Sequence, residues 1–219
     1  MSGPGALPTL TLSRLWHVGD LVAGAKRRGS YEGAGLSVSL HPAAWRMIAR
    51  GHVAGTTWEM RRPGARFLDA LALTDAQRDD ILARGIADEH VRKATIWRWT
   101  YFDDELDEEV HQEFASEAEA KLESGLDDGE EAVVVGIPGH ASTPELDTLC
   151  LQDSPTIGTR ATLDLLLPLH AEALGLDGVW WSERLDPTSL SAPRGVIPAS
   201  RLEMWRRTAV KADPDKHDH

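Results

Sequence analysis

Two short stretches hold the residue types from which a ligand pocket could be built. Near the start, Leu15-Trp16-His17-Val18-Gly19 sets an indole beside an imidazole at the end of an apolar run. Further on, Gly29, Gly33 and Gly35 lead into Leu36-Ser37-Val38-Ser39, which breaks at His41-Pro42. Glycine lets a backbone approach a ligand closely, and imidazole can hold or move a proton near neutral pH. The chain has eight Trp against three Phe and two Tyr, and each indole offers a large apolar area, one N–H donor and a flat face for stacking on bases or other rings. Each feature also has a plainer use. A histidine after a strand can be structural, paired glycines can serve a positive-φ turn, and Trp can fill a core.

Several familiar arrangements are missing. There is no G-x-x-x-x-G-K-[ST] loop, no G-x-G-x-x-G, no G-x-S-x-G and no H-E-x-x-H, so phosphate cradles, the nucleophile elbow and helical zinc sites have no support from motifs. The nine His are scattered singly, and a zinc site would need spatial convergence. The single cysteine, Cys150, excludes an intramolecular disulfide. The N-terminus has no basic, apolar leader and no window is long enough to span a bilayer. The expectation is a soluble, cytoplasmic protein with no membrane partner.

The net charge is −12, but it is unevenly spread. Residues 103–131 hold fourteen acidic side chains against one basic, Lys121, and so carry −13, leaving the rest of the chain near +1. An acidic run is usually a solvated face, and it can also dock a basic protein partner. Paired arginines stand at Arg27-Arg28, Arg61-Arg62 and Arg206-Arg207. If they converge they make a basic groove for nucleic acid; sequence alone does not say whether they do.

The elements that must position these groups read as a mixed α+β pattern without regular β-α alternation. Strands are expected over 13–24 (ending in a turn), 36–40, 54–60, 94–102, 132–137, 178–183 and 195–205. A helix is expected over 42–50, opened by Pro42 and stopped by Gly51. A second is capped by Thr74, completed by Gln77 and stopped by Gly85. Leu106, Val110, Phe114, Ala118 and Leu122 recur every four residues, which predicts an amphipathic acidic helix. A last helix runs over Leu163–Leu174, started or kinked by Pro168. This amounts to one domain over 1–208 with an acidic helical insertion at 103–131, and a disordered tail over 209–219.

The order of these motifs resembles the ADP-ribosyltransferase superfamily, which includes poly(ADP-ribose) polymerases, bacterial toxins and RNA 2′-phosphotransferases. Leu15-Trp16-His17 is similar to the family's first strand, often "L-x-H-G", with Val18 intervening before Gly19. Gly33-x-Gly35-Leu36-Ser37-Val38-Ser39 is similar to its "G-x-G-[IL]-x-[FV]-[AS]" strand. Asp177-Gly178-Val179-Trp180-Trp181, followed by Pro187, resembles a late "N-G-V-W-L" stretch of the phosphotransferases.

The resemblance implies an α+β, ADP-ribosyltransferase-like split β-sheet core with inserted helices. It implies NAD as substrate, or another ADP-ribose-like ligand, held across two central strands. His17 then bonds a ribose hydroxyl, Ser37 takes the serine-type motif position of the toxin branch, and Gly33, Gly35 and Ser39 line the ligand. Trp16, Tyr31 and Trp45 are stacking candidates. The closing glutamate is replaced by Arg194, which can pair with pyrophosphate, and Glu183 is the nearest acid to serve as catalytic carboxylate. ADP-ribosyl transfer or NAD glycohydrolysis, in a toxin or effector, is the leading expectation. A non-enzymatic protein using its acidic helix on a basic partner, and an RNA 2′-phosphotransferase-like enzyme, are the alternatives.

Overall fold

The computed structural model describes residues 6–21, 35–41, 56–104, 107–125, 133–181 and 195–210. In chain order its strands and helices are β1 (Thr9–Thr11), β2 (Arg14–Val18), β3 (Leu36–Val38), β4 (Thr57–Arg61), β5 (Arg66–Asp69), α1 (Asp75–Ala87), β6 (Val91–Asp103) and β7 (Glu108–Phe114). There follow α2 (Glu117–Ser124), β8 (Val134–Ser142), α3 (Pro144–Leu149), α4 (Thr159–Ala173), β9 (Gly178–Trp180), β10 (Gly195–Ile197), a 3-10 helix (Ala199–Met204) and β11 (Arg206–Val210). The protein is mixed α+β and divides into two compact units. One is drawn from Met1–Lys26, Glu32–Asp79 and Leu167–His219, the other from Arg27–Tyr31 and Asp80–Leu166.

The first unit holds a five-stranded sheet in the order β1-β5-β9-β10-β3, antiparallel except for the parallel β5–β9 pair, and a three-stranded antiparallel sheet β11-β4-β2. All residues of β3, β9 and β10 are buried, which is why β9 and β10 read as short unbroken runs; β3 alternates in sequence yet buries Ser37 with its neighbours. In β2 and β4 alternation holds: Leu15 and Met60 are fully buried and sit opposite each other, while Arg14 and Arg61 project from the other face. Leu15, Leu36, Val38, Met60, Phe67 and Ile197 form the core with Trp180 and Trp205, the last lying edge-on to Phe67 at 6.0 Å. The sheets meet where β2 pairs with the residue after β3. Trp16 N–H donates to Ser39 O and Ser39 N–H donates to Trp16 O, both at 2.8 Å.

The second unit is built on the sheet β7-β6-β8. Here the acidic segment departs from its expected form. Glu108–Phe114 is a strand paired along β6, and the helix covers only Glu117–Ser124, opened by Ser116 Oγ accepting from Glu119 N–H. The physical reason is that residues four apart share a face in a strand as well as in a helix, so Val110 and Phe114 satisfied both periods. Long β6, rich in β-branched and aromatic residues, supplied the ladder that decided it.

Other boundaries moved too. The capping box at α1 stands, with Thr74 N–H to Gln77 Oε1 at 3.0 Å and Gln77 N–H to Thr74 Oγ1 at 3.3 Å. Gly85, expected to stop the helix, is buried inside it, where a Cβ would press on Leu166 and Val91. Strand β8 runs through Pro138, which an edge position tolerates. Helix α4 starts at Thr159 and contains Pro168. The expected closing strand over 195–205 is strand only to Ile197, then a 3-10 helix. Strand β11 was unexpected, because all five of its residues are exposed and show no alternation. The disordered tail expected over 209–219 does not begin at 209, because Ala209 and Val210 pair with Trp58 and Thr57 in β11; residues 211–219 and the helix expected over 42–50 lie outside the described residues.

A Cβ at Gly178 would collide with the Val196 carbonyl and the Phe67 ring. Gly178→Ala is therefore expected to cost about 3 kcal/mol, the upper end of overpacking. Thr74→Ala, which removes one cap, is expected to cost about 1 kcal/mol. Urea unfolding followed by Trp fluorescence measures both.

Candidate functional site

Three stretches from distant parts of the chain meet in the first unit. β2 carries His17, β3 carries Ser37, and β10 opens with Gly195 opposite Val38. The pairing Leu15–Met60 turns the inner face of β2 toward the core, and His17, two residues on, is 3% exposed on that face. Its Nδ1 lies 2.8 Å from Ser37 O and its Nε2 lies 3.1 Å from Asp20 O. Two carbonyls call for two donors. A neutral imidazole has one, and an imidazolium has both. The ring thus continues the link between β2 and β3 that the Trp16–Ser39 backbone pair begins. The following turn is held independently: Gly19, at φ 123°, donates its N–H to Thr56 O and accepts from Trp58 Nε1 at 2.9 Å.

The other candidates on these strands divide. Ser37 is fully buried and faces Val196 across the ladder. Ser39 closes a turn: its Oγ accepts from His41 N–H at 3.0 Å and donates to His41 O at 3.2 Å, as hydroxyls do where a strand stops. Gly35 lacks a Cβ because Val196 and the Ile197 carbonyl occupy that space, so packing against β10 already explains it. Trp16 is half-buried on the outer face, with the Arg14 guanidinium 4.9 Å from its ring centroid. Tyr31, Gly33, Trp45, Glu183 and Arg194 lie outside the described residues.

Asp177, which the sequence placed in the late motif without giving it a role, is buried and ion-paired with Arg62, and accepts the Arg66 N–H at 2.8 Å. It locks the start of β9 against β5. The only hint was its place just before Gly178-Val179-Trp180.

In the second unit, Lys93, Thr95, Gly136, Pro138, His140 and Thr159 border an open groove of about 650 Å³. None of the described site residues expected from sequence lines it. His140 Nδ1 lies 3.2 Å from Thr159 Oγ1. Cys150 is buried, with Sγ 3.6 Å from Leu165 O. Burial first, and the neighbouring Asp147 second, push its thiol from an ordinary 9.0 up to about 12. Among the described residues no cluster of three or more His, Cys, Asp or Glu could hold a metal ion, and no helix is long and apolar enough to cross a membrane. No family model, no curated protein and no solved structure matches the chain.

At pH 8 the folded Cys150 should react with a disulfide reagent roughly a thousand-fold more slowly than the thiol exposed in urea, since only the thiolate attacks. Because the folded pKa is raised, its contribution to stability is present below pH 9 and is lost as pH rises toward 12. Stopped-flow labelling with and without urea checks the first statement, and a denaturation series at rising pH the second.

Proposed function

We propose that the first unit binds NAD at the seam between β2 and the β3–β10 pair, and that the protein is an ADP-ribosyltransferase-like enzyme. Its reaction is cleavage of the bond between nicotinamide N1 and ribose C1′. The bonding pair leaves with nicotinamide, and water or an acceptor nucleophile adds at C1′ and gives up a proton. One observation carries the reading: the stretches bearing His17, Ser37–Ser39 and Gly195, far apart in sequence, are spatial neighbours in the order β2, β3, β10.

The role of His17 follows from that arrangement, and those of Glu183 and Arg194 from the resemblance alone. His17 Nδ1 holds the shorter, buried bond to Ser37 O and so keeps the strands together. Its longer bond, to the carbonyl of exposed Asp20, is the one a ribose hydroxyl would replace. Positive charge grows on the ribose as the bond breaks, and a fixed carboxylate lowers that barrier electrostatically; Glu183 has this role in the reading. Arg194 pairs with the pyrophosphate through its planar fork. The alternative, an acidic segment that docks a basic protein partner, would present its charges on a strand (Glu108–Phe114) and a short helix (Glu117–Ser124) rather than on one long helix.

The full chain is expected to release nicotinamide from NAD, and His17→Asn, which keeps a side-chain donor toward Ser37 O, should lower the rate at least about ten-fold with an unchanged circular dichroism spectrum. Equal rates in the folded variant would remove His17 from the site. Neither release nor calorimetric binding of NAD by the wild type would end the NAD reading itself.

A further inference from the structure

The three-stranded sheet β11-β4-β2 carries a row of like charges across its outer face. In the strand register Arg14 stands opposite Arg61, and Arg61 opposite Arg206. Directly opposed residues of antiparallel strands point to the same side. The adjacent row, Leu15 with Met60, is fully buried, so the arginines project outward. Arg14 and Arg61 are 56% and 55% exposed, and Arg206 is exposed on the edge strand. One carboxylate, Glu59, answers this row, bonding Arg14 Nε at 2.5 Å and Arg61 at 2.7 Å. The bond from Arg61 leads in holding Glu59 below its usual carboxylate range. Arg206 has no ion-pair or side-chain hydrogen-bond partner among the described residues. Thr208 and half-buried Trp16 flank Glu59 on the same face.

Opposed like charges weaken a sheet; Glu59 offsets them at Arg14 and Arg61, but no carboxylate among the described residues pairs with Arg206, and a local rule left partly uncompensated marks a surface shaped by something outside the chain. We infer that this face binds the phosphodiester backbone of single-stranded nucleic acid. The row runs perpendicular to the strands, with neighbours about 4.8 Å apart, so its guanidiniums span about 10 Å, room for successive phosphates of a strand crossing the sheet. All three cations are arginine, whose fork bonds phosphate in bidentate fashion. An acidic peptide added to the β11 edge would instead run along the strands and meet the row at one residue. This surface is separate from the NAD reading and does not depend on it.

The test is fluorescence anisotropy of a labelled oligothymidylate with the full chain across a salt series. Three phosphate contacts predict a slope of log K against log salt near −2, at about −0.7 per contact. Arg206→Gln should lower that slope by about 0.7 and Arg206→Lys should restore most of it, with nicotinamide release unchanged in both. Arg206 is exposed and has no ion-pair partner among the described residues, so its variant tests the idea even if Arg61→Gln fails to fold. No binding at low salt, or a wild-type slope kept in Arg206→Gln, overturns the inference. Displacement of the oligonucleotide by polyglutamate at equal charge would also overturn it and assign the face to acidic peptides.

Discussion

Strand β10 packs so closely that a Cβ at Gly35 or Gly178 beside it, or at its own Gly195, has no room, and much of the first unit follows from that. Gly35 on one side and Gly178 on the other lie so close to Val196 that a Cβ on either would strike it, and Gly195 is pressed on Trp180. Three glycines let β3, β10 and β9 close up as fully buried strands. Close packing of this kind tolerates no extra methyl group without backbone movement. The Asp177–Arg62 ion pair and the Asp177 bond to Arg66 N–H then fix β9 against β5, which sets the order of the whole sheet.

The candidate site grows from the same crowding. With β3 drawn tightly onto β10, its free edge faces β2, and the link there is short: one reciprocal backbone pair at Trp16 and Ser39, then the His17 imidazole reaching Ser37 O. A buried ring set between two carbonyls is a polar group whose satisfaction depends on its proton count. A single residue thus joins the strands through Nδ1 and sets its Nε2 toward the Asp20 carbonyl at the turn. In the proposed NAD reading both uses of His17 are compatible, since holding Ser37 is what leaves Nε2 toward Asp20.

The sequence was most legible where a local rule has one reading. The Thr74–Gln77 capping box, the β-rich run of β6 and the strands opening at 36, 178 and 195, though not the end of the last, were visible. It misled where one pattern serves two structures. Four-residue spacing over Val110 and Phe114 fits helix and strand alike, and the partner strand decided. Gly35 read as an approach to ligand because sequence does not show Val196 filling its space. The arginine row was half visible: Arg61 and Arg206 stood out as members of arginine pairs, but their alignment with Arg14 exists only through the register of three strands, one of them, β11, exposed along its whole length. Asp177 was hidden for the same reason: its partners are 115 and 111 positions away in the chain, at Arg62 and Arg66.

The central claim is that NAD binds where β2 meets β3, and amide chemical-shift mapping during an NAD titration of the full chain addresses it most directly. The account predicts saturable shifts clustered at Trp16, His17, Ser37 and Ser39. Shifts confined to the groove around Lys93 and His140, or no saturable shifts anywhere, would contradict it.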